Sequence, residues 1–231
     1  MNEHITIKGH NGEFGAHIKM PKAVPAAAVV ILHEVFGVNA DIRQTCDEIA
    51  DQGFIAIAPE MYWREEKNVN LSVRSEADWQ HGLRLNQAFD RDAGARDIRD
   101  TVLLAAKLPQ CTGKVAVLGY CIGGLMTFLT SARFGADAAV VYHGGDTEKY
   151  LDEAPRVDAP LLMHLGEEDE FISKDAQAQI KTAFAKKPNA TIFSYPGQYH
   201  AFSRHNGTHY NAEAAALAHE RTYEFLDQHL R

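Results

Sequence analysis

The sequence predicts a three-layer α/β/α sandwich, built on a mostly parallel central sheet of about eight strands. Three observations predict it. Short β-branched apolar runs recur along the chain, and the middle ones are almost continuously apolar, as strands buried on both faces of a parallel sheet require. Amphipathic helical patterns separate those runs, so right-handed strand–helix–strand crossovers account for the order. The length, 231 residues, suits one α/β domain over 1–231 and leaves little room for two.

The elements follow in order. Residues 5–7 and 14–18 alternate apolar with polar side chains, the pattern of an antiparallel edge. Residues 28–32, 54–58, 115–118, 138–142, 161–165 and 191–195 are the remaining β-type runs, the middle ones nearly continuously apolar. Residues 41–51 place Ile42, Cys46, Ile49 and Ala50 on one helical face. Residues 92–108 do the same with Ala95, Ile98, Val102, Leu103 and Ala106. Ser173 is an N-cap for a helix to about residue 185. Residues 212–230 form a long terminal helix with Ala215, Tyr223, Leu226 and Leu230 among its apolar positions. The stretch 61–87 holds both tryptophans, many charges and a weak period. It reads as a surface excursion with one short helix, either a lid or a solvated connection.

Composition narrows the function. Lys plus Arg is 23 and Asp plus Glu is 31, a formal charge of −8. That balance opposes non-specific binding to nucleic acid or an anionic membrane. The first residues carry no cationic segment followed by an apolar run, so no secretory leader is expected. Three cysteines at these spacings make no disulfide framework, and a reducing cytoplasm is the expected compartment. Residues 115–132 are uncharged and long enough to mimic a membrane span. Gly119, Gly123, Gly124 and the β-branched opening instead read as strand, turn and helix.

In open α/β sheets, ligands bind at the carboxyl ends of strands, so residues just past strands carry the chemistry. Gly119-Tyr120-Cys121-Ile122-Gly123-Gly124 follows the strand at 115–118 and precedes the helical run 125–133. This is a Gly-x-nucleophile-x-Gly turn with Cys in the nucleophile position. The glycines admit a sharp turn, and the following helix aims its N-terminus at the sulfur. There it favours a thiolate, and the N–H of Ile122 is the natural oxyanion donor. Cys46 and Cys111 lack this setting and read as a core thiol and a loop thiol.

A thiol nucleophile needs a base and an acid to orient it. In hydrolases with this turn the chain order is nucleophile, acid, histidine. His200 follows the last strand, and Asp169 follows the strand at 161–165. Glu167, Glu168 and Glu170 compete with Asp169, and the spacing does not separate them. His205 and His209 stand four apart without a third ligand motif, so no metal is expected. There is no phosphate loop or dinucleotide fingerprint, and no cofactor is expected.

These residues resemble the dienelactone hydrolase family, whose members open enol-lactones with a Cys-His-Asp triad on an α/β-hydrolase fold. Four segments carry the resemblance in family order: His33-Glu34-Val35-Phe36-Gly37-Val38-Asn39, Gln87-Ala88-Phe89-Asp90, residues 119–124, and His200-Ala201-Phe202-Ser203-Arg204. The resemblance implies a triad of Cys121, Asp169 and His200. It gives Glu34 a part in forming the thiolate when substrate arrives, and it makes the N–H of Val35 the second oxyanion donor. Arg204 matches the arginine that holds a substrate carboxylate, work suited to a bidentate guanidinium. The family's second carboxylate-binding arginine falls on Trp79 here, with Arg74 and Arg84 nearby. Trp79 and Tyr142 are therefore candidates for substrate contact, and a larger or aromatic ester becomes a candidate substrate. The expected partner is a small lactone or ester, handled by a monomer or homodimer. The alternatives are a general carboxylesterase or thioesterase, and a non-hydrolytic protein using Cys121 as a reversible thiol.

Overall fold

A computed structural model describes residues 3–231; the first two residues of the expected leaderless start lie outside them. Eight strands form one sheet: β1 (His4–Gly9), β2 (Gly12–Lys19), β3 (Ala26–Leu32), β4 (Ile55–Pro59), β5 (Cys111–Tyr120), β6 (Ala138–Tyr142), β7 (Leu161–Gly166) and β8 (Ala190–Tyr195). Their spatial order is β1-β2-β4-β3-β5-β6-β7-β8. β2 pairs antiparallel with β1 and with β4, and every later pairing is parallel. The alternating strands are thus the antiparallel edge. β3, β4, β6 and β7 are buried along their whole length, which is why they read as unbroken apolar runs.

The helices are α1 (Ala40–Asp51), α2 (Glu76–Ala88), α3 (Arg91–Ala106), α4 (Ile122–Phe134), α5 (Lys174–Phe184) and α6 (Ala212–Leu230), with a 3-10 segment at Thr147–Arg156. Ile42, Cys46 and Ile49 of α1 and Ala218 and Leu226 of α6 fill one core layer against the sheet. Residues of α3, α4 and α5, including Ile98, Leu125, Phe128 and Ile180, fill the other. Among the described residues no helix is long and apolar enough to cross a membrane. Residues 115–132 divide between β5 and α4, as the glycines require.

The excursion at 61–87 carries a longer helix than its sequence predicts. Only Gly82 and Leu85 of α2 are buried, so the helix has little apolar period to read. It is nevertheless firmly seated. A Cβ on Gly82 would lie 2.5 Å from the Val35 carbonyl oxygen, so α2 rests directly on the loop after β3. Leu71 N–H donates to the Phe36 carbonyl at 2.9 Å, and Asn39 Nδ2 donates to the Leu71 carbonyl at 3.2 Å. This stitching brings Trp79 over the carboxyl ends of β3 and β5.

Candidate active site

The chain runs outward in both directions from β3, so the crevice between β3 and β5 is the topological switch point of the sheet. Glu34 and Val35 follow β3, and Cys121 follows β5. Cys121 sits at φ +55° and ψ −120°, a conformation that costs a non-glycine residue energy. The elbow holds it there. Cys121 N–H donates to the Tyr142 carbonyl at 3.1 Å. A Cβ on Gly119 would stand 2.1 Å from the Gly123 carbonyl, and one on Gly123 would stand 2.3 Å from the Leu32 carbonyl. Both positions require glycine because backbone meets backbone.

Five helices have a side chain closing their N-terminus: Asn39, Ser75, Asp90, Ser173 and Asn211 each accept a backbone N–H. α4 begins at Cys121 with no side-chain cap. Its first N–H groups, Ile122 among them, keep their partial positive charge for whatever occupies the adjoining cavity.

Of the four acids after β7, Asp169 reaches the imidazole. Its Oδ2 accepts from His200 Nδ1 at 2.8 Å, and its Oδ1 accepts from the N–H groups of Phe171 and Ile172 at 2.8 and 3.0 Å. Burial works against the Asp169 anion, but the His200 hydrogen bond and charge outweigh it and hold the carboxyl below its usual range. Glu168 pairs with Lys174, and Glu170 accepts from the His200 backbone N–H. With Nδ1 engaged, His200 Nε2 is buried without a hydrogen-bond partner. Cys121 Sγ, a Glu34 oxygen and a His200 ring nitrogen all lie within 4.8 Å of one another. Burial disfavours the His200 imidazolium, yet Cys121, once its sulfur is ionised, together with Asp169 pushes its pKa up to about 10.

Glu34 is buried and fully engaged. Its two oxygens accept from Arg204 Nε and one terminal nitrogen, both at 2.6 Å. Burial opposes the anion here too, but the charge and hydrogen bonds of Arg204 overcome it, and the carboxyl stays far below its ordinary value. Sulfur, imidazole and carboxylate are also the donor types of a zinc site. Both Glu34 oxygens already carry the Arg204 guanidinium, whose charge opposes a second cation there.

His33 fixes the Glu34–Val35 peptide. Its Nε2 accepts from the Met61 N–H at 3.1 Å, so the ring proton sits on Nδ1, 2.6 Å from the Glu34 carbonyl oxygen. Burial lowers the His33 pKa to about 4 and keeps the ring neutral. In a trans peptide the Val35 N–H points opposite to that carbonyl, away from His33.

Cys121, His200, Arg204, Val35 and Ile122 line one cavity of about 140 Å³, roofed by Trp79. A wider outer compartment of about 350 Å³ shares Trp79, Phe171, His200 and Arg204 as its wall and adds Arg74. Trp79 stands between Phe36 and Phe171, with ring centroids 5.8 and 6.0 Å away. Arg84 lines neither space.

Tyr142 does not line the cavity. It is fully buried on the opposite face of the sheet, where its hydroxyl meets the Ala218 carbonyl and Thr222 Oγ1 at 3.1 and 2.6 Å. Side chains alternate along a strand, and at this position the alternation points to α6. The next residue, His143, does face the site, 3.5 Å from Glu34 and 4.6 Å between ring centroids from His200. Sequence reasoning passed over it, although it stands one residue past a strand end. His205 and His209 lie in the loop before α6 and turn to different partners, Glu48 and Glu170. Cys46 is fully buried in the core.

Comparison with known proteins identifies the family. The model of the dienelactone hydrolase family matches residues 14–230. A carboxymethylenebutenolidase of Pseudomonas putida is 37% identical over 98% of this chain and 96% of its own. Carboxymethylenebutenolidase 1 of Cupriavidus pinatubonensis is 33% identical, over 93% of this chain and 92% of its own. The crystal structure of a putative dienelactone hydrolase from Klebsiella pneumoniae superposes with a TM-score of 0.85 at 26% identity, covering 97% of each chain. The chain therefore belongs to the dienelactone hydrolase family and is a hydrolase with the α/β-hydrolase fold.

Proposed function

We propose that this enzyme opens small enol-lactones that carry a carboxylate, using Cys121 as nucleophile and passing through a thioester. The observation that carries the reading is the convergence in one small cavity of a strained cysteine, an Asp169-oriented histidine and a buried Glu34–Arg204 pair. A substrate carboxylate competes with Glu34 for Arg204. Deprived of that counter-charge, Glu34 becomes a stronger base and takes the Cys121 proton. The thiol is thereby kept protonated, and sheltered from oxidation, until substrate arrives.

The thiolate attacks the lactone carbonyl. The N–H groups of Val35 and Ile122 stabilise the oxyanion, and losing one such donor costs about 3 kcal/mol, roughly a hundredfold in rate. The ring C–O bond breaks and leaves an enolate on the same acyl chain, a good leaving group that needs little proton donation and that takes up the proton held by Glu34. Water then attacks the thioester, His200 accepts the water proton, and the C–S bond breaks to free the acid as His200 returns that proton to the sulfur. A free cysteine nucleophile suits a reducing cytoplasm.

The second reading is a general carboxylesterase, favoured by Trp79 at the position where the family's other carboxylate-binding arginine is expected. A panel of carboxylated enol-lactones and neutral aryl esters separates the two. The proposal expects higher kcat/KM on the carboxylated lactones, and loss of both activities in Cys121→Ala. Equal or better turnover of neutral esters establishes the general esterase instead.

A further inference from the structure

His143 is a fully buried histidine with neither ring nitrogen hydrogen-bonded. Such a group is rare in a folded protein and calls for a physical reason. Its backbone is fixed: φ is +37°, and its N–H donates to the His164 carbonyl at 2.9 Å. Its ring is packed edge-on against His200, with Phe202 and Tyr120 beyond. The carboxylate it approaches is Glu34, whose Oε1 lies 3.5 Å from Nε2, too long for a good hydrogen bond. That oxygen is held at 2.6 Å by Arg204.

We propose that His143 is the partner onto which Glu34 closes when an anionic substrate takes Arg204, which makes it a positioning residue for thiolate formation. The inference rests on the proposed exchange of Arg204 between Glu34 and a substrate carboxylate. Once Arg204 turns to substrate, Glu34 keeps one fixed imidazole within reach, His143, which donates to it in the tautomer that carries the proton on Nε2. A movement of well under 1 Å turns 3.5 Å into a normal hydrogen bond. With Oε1 held by His143, the other oxygen is left to accept the proton from Cys121. The S–H bond breaks, an O–H bond forms on Glu34, and the electron pair stays on sulfur. His143 remains neutral throughout, as burial dictates by lowering its pKa to about 4. The missing partner of the resting ring is therefore the partner of the activated one.

The test compares His143→Gln, whose amide nitrogen replaces Nε2 as a donor, with His143→Leu, which removes the donor. Both share the positive φ, so backbone strain cancels between them. The readouts are kcat and KM on a carboxylated enol-lactone and on p-nitrophenyl acetate, with melting temperatures for both variants. The expected result is that the lactone-to-acetate ratio of kcat falls about tenfold in the Leu variant and returns to within about threefold in the Gln variant, with little change in KM for the lactone. Equal ratios in Gln and Leu overturn the proposal, whether activity stays high or falls together with stability. Neither of those results touches the role of Cys121, which Cys121→Ala tests separately.

Discussion

Arg204 holds both carboxylate oxygens of Glu34 at 2.6 Å, with the two side chains only 14% and 8% exposed. The resemblance alone makes Arg204 an anchor for substrate. The structure gives it a resting partner as well, so its removal has two effects. Arg204→Ala leaves a buried anion unpaired, which costs on the order of 3 kcal/mol, a fall in melting temperature of roughly 6–12 °C. It also raises KM for carboxylated substrates more than for neutral esters. Thermal unfolding and paired kinetics check both, and an unchanged melting temperature contradicts the buried pair.

His33 fixes the peptide plane that carries the Val35 N–H, the proposed oxyanion donor. His33→Leu frees the Glu34 carbonyl and with it the direction of the Val35 N–H. The account expects kcat to fall by about tenfold to a hundredfold with KM nearly constant, because the lost contact forms mainly in the transition state. Steady-state kinetics on one good ester are sufficient. A raised KM at constant kcat places His33 in substrate binding instead.

The charge coupling between Cys121 and His200 has a measurable sign. His200 is raised in the folded protein from 6.5 to about 10, against burial, through Cys121 once its sulfur is ionised and through its hydrogen bond to Asp169. Its contribution to stability is therefore complete below about 6.5 and is lost as pH rises through about 10. In Cys121→Ala the main cause of the rise is gone, so the His200 pKa falls and the loss begins at lower pH. NMR titration of the imidazole reads this directly. The same His200 pKa in both proteins contradicts the coupling.

Trp79 closes the inner cavity from above and divides it from the outer compartment. Trp79→Ala merges the two spaces. Bulky aryl esters then gain several-fold in kcat/KM relative to small acetates, since each methylene newly accommodated is worth about 1 kcal/mol. An unchanged ratio across an ester series removes Trp79 as a determinant of size.

The sheet was legible because burial on two faces writes itself into β3, β4, β6 and β7 as unbroken apolar runs. The elbow was legible because a Cβ on Gly119 or Gly123 would stand 2.1 or 2.3 Å from a backbone carbonyl, so both positions require glycine. α2 was underestimated because it rests on backbone through Gly82 and presents almost no apolar face. The 3-10 segment at Thr147–Arg156 was missed because it is two short turns joined across a kink at Tyr150, with Pro155 inside. Glu34 gave no local signal: a lone acid after a strand looks like any surface carboxylate until Arg204, 170 residues away, is brought to it. Tyr142 and His143 show the limit of reading strand ends by position, because one residue past Tyr142 the side chain packs against Glu34 and His200 instead of α6.

The central claim is that substrate becomes covalently attached to Cys121. Acid-quenched samples taken during turnover of an ester, followed by peptide mass spectrometry, test it most directly. The account predicts an acyl adduct on the peptide containing Cys121, accumulating further when water activation is weakened in Asp169→Asn. Full turnover by Cys121→Ala, or an adduct on another residue, would contradict it.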